Sequence, residues 1–250
     1  MSELNFDKIL AFDVWADYAH FRKFYTTTSP LTFSVPPRTA LCGLIGAIVG
    51  LGKEENEYLR YFSFDEAHIA VRILKPIRKT MIAQNLIHTK NARGPGMNLI
   101  TQRTQIRFEY LKRPKYRVYF AYGGTNEKLL TLKTMLENHK AVYTPVLGLS
   151  ENLANFKFVG EFDFEYKTSE DYVAINSIIP LGKVSDNYGT KFDYDAEYFS
   201  ERHPLMLTLE REVIKYDDIL FERKGRPIEV KLTEGFFELS EGEGKIVFVE

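Results

Sequence analysis

The order of strand and helix patterns along the first 150 residues is the feature that most constrains the fold. Apolar residues alternate or run together, as in β-strands, at 8–15, 68–74, 103–110 and 116–122. Pro37 can open a helix over 38–50, and Thr125 can cap a second helix over 126–139. With a short strand over 141–150, the order strand–helix–strand–strand–helix–strand predicts an α+β fold built on a ferredoxin-like domain of the RRM type.

The remaining hundred residues differ from the first 150 in charge and in pattern. Residues 151–250 contain short strand patterns separated by glycines, together with twelve Lys/Arg and twenty-two Asp/Glu. We therefore predict two units, a ferredoxin-like domain over 1–150 and an acidic, β-rich C-terminal extension over 151–250.

A strongly basic segment lies inside the first unit. Residues 72–117 contain twelve Lys/Arg and one acid, Glu109, whereas the whole chain has a formal net charge of −1. The middle of this segment, about 78–102, lies between two strands of the predicted sheet and turns at the glycines of 93–96. We predict that it is a basic β-hairpin inserted as a thumb, and that the bases of 103–117 belong to the sheet behind it.

Such a segment predicts a polyanionic partner, because Lys and Arg attract phosphates and binding releases counterions. A solvated basic face without a partner is the alternative. Single-stranded RNA fits best, because cations hold its phosphates while apolar side chains insert between its bases. The candidate RNA-binding residues of this segment are Arg78, Lys79, His88, Lys90, Arg93, Asn98, Gln102, Arg103 and Arg107. Met97 and Leu99 are candidate base wedges, with a small satellite core as the alternative.

Other kinds of chemistry find little support in the sequence. The single Cys and the five scattered His lack metal-ligand spacing, so we expect no metal or other cofactor. Metal-free RNA cleavage would need a base, an acid and a cation, which His88, Lys90 and Tyr25 could supply, although nothing in the spacing brings them together. The apolar run 40–51 is too short to cross a membrane, and one Cys fits a reducing compartment, so we expect a cytoplasmic protein.

Four blocks of sequence resemble a known family. They lie at 12–23, 29–33, 36–50 and 143–151, and the first three are specific as a set. Together they resemble the Cas-five family of CRISPR-associated RAMP proteins, and the variant of type I-B systems is the nearest match. No comparable block occurs in the last hundred residues.

The resemblance implies a ferredoxin-like domain with a hairpin thumb and a variable C-terminal β part. It implies a subunit that caps the Cascade complex, grips and kinks the 5′ handle of the crRNA, and contacts the Cas-seven backbone subunit and the Cas-eight large subunit. Target DNA is bound within that complex. By position, Arg38 and Thr39 are expected beside the handle, and Gly148 and Ser150 near the same face.

The resemblance also implies that the protein is not an enzyme. In type I-B systems a separate Cas-six ribonuclease processes the crRNA, whereas the type I-C variant of the Cas-five family cleaves RNA with tyrosine, lysine and histidine. No such set can be matched here. We therefore expect an RNA-binding subunit without catalytic activity, with a metal-independent endoribonuclease and an RNA-free protein-interaction module as the alternatives.

Overall fold

The computed structural model describes residues 5–52, 54–87, 103–124, 126–186 and 188–250. They form a mixed α/β protein with mostly antiparallel sheets and few helices. The helices are α1 (Arg38–Val49), α2 (Glu57–Tyr61) and α3 (Asn126–Glu137). The strands of the first part are β1 (Ile9–Trp15), β2 (Tyr18–Ala19), β3 (Ala67–Ile73), β4 (Lys79–Ile87), β5 (Arg103–Lys112), β6 (Lys115–Tyr122) and β7 (Asn155–Phe162). Those that follow are β8 (Phe164–Lys167), β9 (Val173–Ile175), β10 (Ile179–Pro180), β11 (Thr190–Lys191), β12 (Tyr198–Leu207), β13 (Val213–Glu222), β14 (Ile228–Val230), β15 (Phe236–Leu239) and β16 (Gly244–Ile246).

A four-stranded antiparallel sheet, in the order β3-β6-β1-β7, lies at the centre. Strand β1 explains why the sheet is covered on both sides. Leu10, Phe12 and Val14 enter one core cluster, whereas Ile9 and Ala11 enter another. Successive side chains of a strand point to opposite faces, so an almost wholly apolar strand requires a layer on each face.

Helices α1 and α3 cover the first face of this sheet. Helix α1 begins after Pro37 and ends at Gly50, whose φ of 86° suits glycine and whose amide donates to the Gly46 carbonyl at 2.9 Å. Apolar residues of α1, including Ile45, and Leu132 of α3 belong to the same buried cluster. The C-terminal strands cover the second face, where side chains of β15, β16 and their surroundings complete the other cluster.

The strand predicted at 141–150 is not formed. The amides of Val142 and Tyr143 donate to the carbonyls of Ile48 and Ala47, at 3.1 and 2.9 Å, so this segment satisfies the open carbonyls at the end of α1. The fourth strand of the central sheet is β7, which begins at Asn155 and therefore lies beyond residue 150, where the sequence ended the first unit.

The basic segment forms a hairpin that is separate from the central sheet. Strands β4 and β5 pair antiparallel from Lys79 opposite Leu111 to Ile87 opposite Arg103, and the short β2 joins the edge of β5. The assignment of 103–112 to the central sheet is therefore wrong, because these residues pair with β4. Residues 88–102, which hold the predicted turn, lie outside the described residues.

A second hairpin, β12–β13, was largely missed, since the sequence indicated only short strand patterns in this part of the chain. Charged residues interrupt its apolar pattern: Glu201 lies on β12, and His203 faces Asp217 across the pair. Glu201 and His203 are both shielded in the fold, so polarity here does not mark solvent exposure. Shielded polar residues of this kind hide a strand from pattern recognition.

Candidate nucleic-acid interface

Part of the basic segment is neutralised inside the protein. Arg117 donates from Nε to Asp13 Oδ1 at 2.8 Å and from Nη1 to Glu243 Oε1 at 2.6 Å. Lys115 lies 2.9 Å from Asp13, and Arg72 lies 3.9 Å from Glu243. Burial opposes the charge of Arg117, but the hydrogen bonds to both carboxylates outweigh it and raise its pKa. These three bases bind carboxylates of the same chain rather than an outside anion.

Lys79, at the start of the hairpin, is also paired. Its Nζ lies 3.4 Å from Glu109 Oε2 and 3.5 Å from Glu201 Oε1, and it donates to the Thr32 carbonyl at 2.9 Å. Its charge is therefore largely compensated, although it was a candidate RNA contact.

Glu201 is the centre of this arrangement. Burial works to raise its pKa, but the nearby His203 ring, hydrogen bonds from the Ser34 amide and Lys23, and the charge of Lys79 lower the pKa well below its ordinary value. The Ser34 amide and the Lys23 ammonium donate to its oxygens at 2.7 and 2.9 Å. The carboxylate is thus ionised, and its charge is balanced by Lys23 and Lys79 of the same chain.

The other described bases of the segment are exposed. None of them lies within ion-pair distance of a carboxylate in the part of the chain that the structure describes: Lys75, Arg78, Arg103, Arg107, Lys112 and Arg113. We call these six the unpaired cations. Arg103 and Arg107 stand on the same face of the hairpin as Lys79, because directly opposed and alternate residues of an antiparallel pair share a face. The described arms of the hairpin therefore carry exposed positive charge, as a phosphate-binding surface requires.

A second surface lies beside helix α1. Thr39 and Gly148, two of the residues suggested by the family resemblance, line one cleft of about 390 Å³ together with Arg22 and Arg211. Gly148 has a φ of +92°, and a Cβ there would lie 1.8 Å from the His20 carbonyl oxygen, so only glycine fits. The fold thus brings a hydroxyl and two exposed arginines to one place.

Arg38 does not belong to either surface. It is 4 % exposed, and its Nη2 donates to the carbonyls of Phe62, Ser63 and Ala67 at 3.2, 2.9 and 2.6 Å. Its guanidinium also lies over the Phe64 ring at 4.2 Å. This arginine joins α1 to the start of β3, which corrects its prediction as an RNA contact.

The remaining predicted residues are not brought to these surfaces by any described contact. Ser150 is exposed, and its hydroxyl lies 3.3 Å from Glu151 Oε2. Seven candidates lie outside the described residues: His88, Lys90, Arg93, Met97, Asn98, Leu99 and Gln102.

Several residues of these surfaces were missed by sequence reasoning. Arg211 lies at the turn between β12 and β13, and its position beside α1 depends on a hairpin that the sequence did not reveal. Phe199, 47 % exposed on β12, lines another cleft with Arg78 and Lys112 and was overlooked for the same reason. Arg22 lies within the block 12–23, and its basic charge beside aromatic residues was the one available signal.

Within the described ranges, no three His, Cys, Asp or Glu side chains are grouped so as to hold a metal ion. Nor is any helix in the described part of the chain long and apolar enough to cross a membrane.

Comparisons with known proteins agree with this architecture. No curated protein sequence matches the chain significantly. A solved CRISPR protein from Archaeoglobus fulgidus is similar in fold, with a TM-score of 0.56, 13% identity and coverage of 96% of this chain and 98% of that one. A chain of a CRISPR RNA-guided surveillance complex has a TM-score of 0.53, 14% identity and coverage of 90% and 91%. The family model described as CRISPR-associated protein (Cas_Cas5) matches residues 9–177. The chain therefore belongs to the Cas-five family of CRISPR-associated proteins.

Proposed function

We propose that this protein is the crRNA-binding subunit of a type I-B CRISPR effector complex, where it grips and kinks the 5′ handle of the crRNA. The observation that carries the proposal is the set of six unpaired cations on and beside the hairpin. Exposed Lys and Arg without carboxylate partners attract phosphates, and the pairing of the other bases indicates that these six are retained for an external anion.

The architecture supports the same proposal. Strands β1, β3, β6 and β7 with helices α1 and α3 follow the ferredoxin-like order, and the adjacent-strand order β3-β6-β1-β7 fits a RAMP domain. Hairpin β4–β5 is then the thumb. We further propose that the protein acts in the cytoplasm as part of Cascade, beside the Cas-seven and Cas-eight subunits and the target DNA.

We propose that the protein binds RNA without cleaving it. Of the three side chains considered for metal-free cleavage, Tyr25 is 58% exposed and packs edge-on against Phe24. The other two, His88 and Lys90, lie outside the described residues. The exposed Tyr25 ring offers a stacking surface for a base, a role that does not require a proton-transfer partner.

RNA binding is tested by sequencing the RNA that copurifies with the protein and by titrating binding against salt. We expect a common 5′ repeat fragment among the copurified RNAs. With six phosphate contacts on a single strand, the plot of log affinity against log salt should have a slope of about −4. A flat salt response, or purification without RNA together with no RNA retention at low salt, would instead favour the protein-interaction module.

The non-catalytic role is tested by incubating the protein with labelled repeat RNA in EDTA. We expect intact RNA even at high protein concentration. A discrete cut that disappears in His88→Ala would contradict the proposal and identify a metal-independent ribonuclease.

A further inference from the structure

A cleft of about 620 Å³ lies where the base of hairpin β4–β5 meets hairpin β12–β13. The residues that flank the two hairpins are joined by two hydrogen bonds: the Ile77 amide donates to the Arg223 carbonyl at 2.9 Å, and the Arg223 side chain donates from Nη1 to the Ile77 carbonyl at 3.5 Å. The cleft is separate from the α1 cleft, and none of its lining residues is shared with it. Its size falls within the range of small-ligand sites, about 300–1,000 Å³.

One wall of the cleft is a stacked aromatic pair. Phe199 on β12 lies opposite Phe221 on β13, with ring centroids 5.9 Å apart and an interplanar angle of 18°. Phe221 is 2% exposed and fixes the arrangement, whereas Phe199 is 47% exposed. An exposed ring already held in a stack is a ready platform for one more flat aromatic group, because it loses little conformational freedom on binding.

Positive charge accompanies this platform. Arg78 and Lys112, two of the unpaired cations, line the cleft, and the Lys112 amide donates to the Arg78 carbonyl at 2.8 Å. These two residues are therefore adjacent across the start of the hairpin. Arg223 also lines the cleft but is paired with Glu197 at 2.6 Å. The charge available for an anion thus comes from Arg78 and Lys112.

The acidic residue of the cleft does not cancel this charge. Among the described residues that line the cleft, Glu201 is the one carboxylate, and it is held by Lys23, by Lys79 and by the Ser34 amide. Its negative charge is thus already balanced by two ammonium groups that are themselves partly buried. An aromatic platform beside two free cations is the combination that recognises a base together with its phosphate.

We propose that this cleft binds one unpaired nucleotide of a single RNA strand, with its base stacked on Phe199 and its phosphate held by Arg78 and Lys112. The inference rests on the proposed RNA-binding function and extends it, because it gives the acidic C-terminal half a direct part in binding. The nucleotide must be unpaired, since a base within a duplex has no free face to offer the ring.

The test uses RNA that carries 2-aminopurine at one position at a time, because stacking on an aromatic ring quenches its fluorescence. With the wild-type protein we expect one position whose fluorescence is quenched on binding. Phe199→Ala should restore that fluorescence and weaken RNA affinity about tenfold, which is the usual effect of losing one base–aromatic stack. Phe199→Trp should keep both the quenching and the affinity.

Phe192→Ala is the matched control, because Phe192 is a 63% exposed phenylalanine of the same region that does not line the cleft. It should leave fluorescence and affinity unchanged. Arg78→Ala with Lys112→Ala tests the phosphate contact independently of the aromatic pair. Loss of one phosphate contact should make the salt slope shallower by about 0.7.

Failure of the inference differs from failure of the proposed function. If the wild-type protein binds no RNA, the proposed function is wrong. If it binds RNA but neither Phe199→Ala nor the double variant changes the signal at any position, only the nucleotide cleft is wrong. Weakened binding of a protein subunit by Phe199→Ala, with RNA affinity unchanged, would likewise overturn the inference and mark the cleft as a protein contact.

Discussion

The basic residues of 72–117 fall into two sets whose surroundings are opposite. Arg72, Lys79, Lys115 and Arg117 are bound to carboxylates, whereas the six unpaired cations are exposed. The paired set lies on strands of the central sheet or at the first residue of the hairpin, and the unpaired set includes both arginines farther along it. The number of basic residues in a sequence segment therefore does not give the positive charge that is exposed to a binding partner.

The acids that make the difference come from distant parts of the chain. Glu243 binds Arg117 from 126 residues away, and Glu201 lies 122 residues from Lys79. Both belong to the acidic C-terminal half. Carboxylates of the C-terminal half therefore neutralise some of the basic residues of the sheet and hairpin. The exposed positive charge is confined to fewer residues than the sequence suggests.

The largest loss of stability is expected on replacing Arg38, a buried cation whose hydrogen bonds all go to the protein backbone. Arg38→Ala removes three hydrogen bonds to backbone carbonyls, so we expect the free energy of unfolding to fall by about 3 kcal/mol. Chemical denaturation measures this loss. Thr39→Ala, at the neighbouring half-buried position, should change stability by less than about 0.5 kcal/mol. A stable Arg38→Ala protein with much weaker RNA binding would mean that Arg38 is a ligand contact after all.

Arg117 tests the paired set directly. Arg117→Ala leaves Asp13, which is 5% exposed, and Glu243 without their strongest partner. We expect the free energy of unfolding to fall by about 2 kcal/mol, because the side chain is only partly buried and Lys115 still compensates Asp13. Arg103→Ala is the matched control and should leave thermal stability unchanged. If the two substitutions lower stability equally, the carboxylate-bound bases and the unpaired cations do not differ in their contribution to the fold.

The stability contributed by Glu201, the carboxylate that binds Lys79, should depend on pH. Its folded pKa lies below the ordinary value of 4.5, so its contribution to stability is present above that value and is lost as the pH falls towards the folded pKa. We expect Glu201→Gln to lower stability by about 1.5 kcal/mol at pH 7, and the gap from wild type to narrow below about pH 4.5. A gap that stays constant from pH 7 to pH 3 would show that the carboxylate charge does not stabilise the fold.

The sequence predicted local elements better than their assembly. Helix α1 and strand β1 were placed to within a residue or so, because proline, glycine and apolar periodicity act locally. The pairing of β5 with β4 was not predicted, since both a hairpin arm and a sheet strand show the same alternation. The burial of Arg38 was hidden too, because its acceptors are backbone carbonyls, which no sequence pattern records.

The smallest effect is expected for the unpaired set, and it concerns binding instead of stability. Arg103→Glu with Arg107→Glu should weaken RNA affinity about tenfold and make the salt slope shallower by about 1.4, which corresponds to two phosphate contacts. Lys140→Glu with Lys157→Glu changes the net charge equally on exposed positions away from the hairpin. If that control weakens RNA binding as much, the effect reflects overall charge. If the arginine variant instead lowers the melting temperature by several degrees, Arg103 and Arg107 stabilise the fold, as the carboxylate-bound bases do. The hairpin would then not be the phosphate-binding arm.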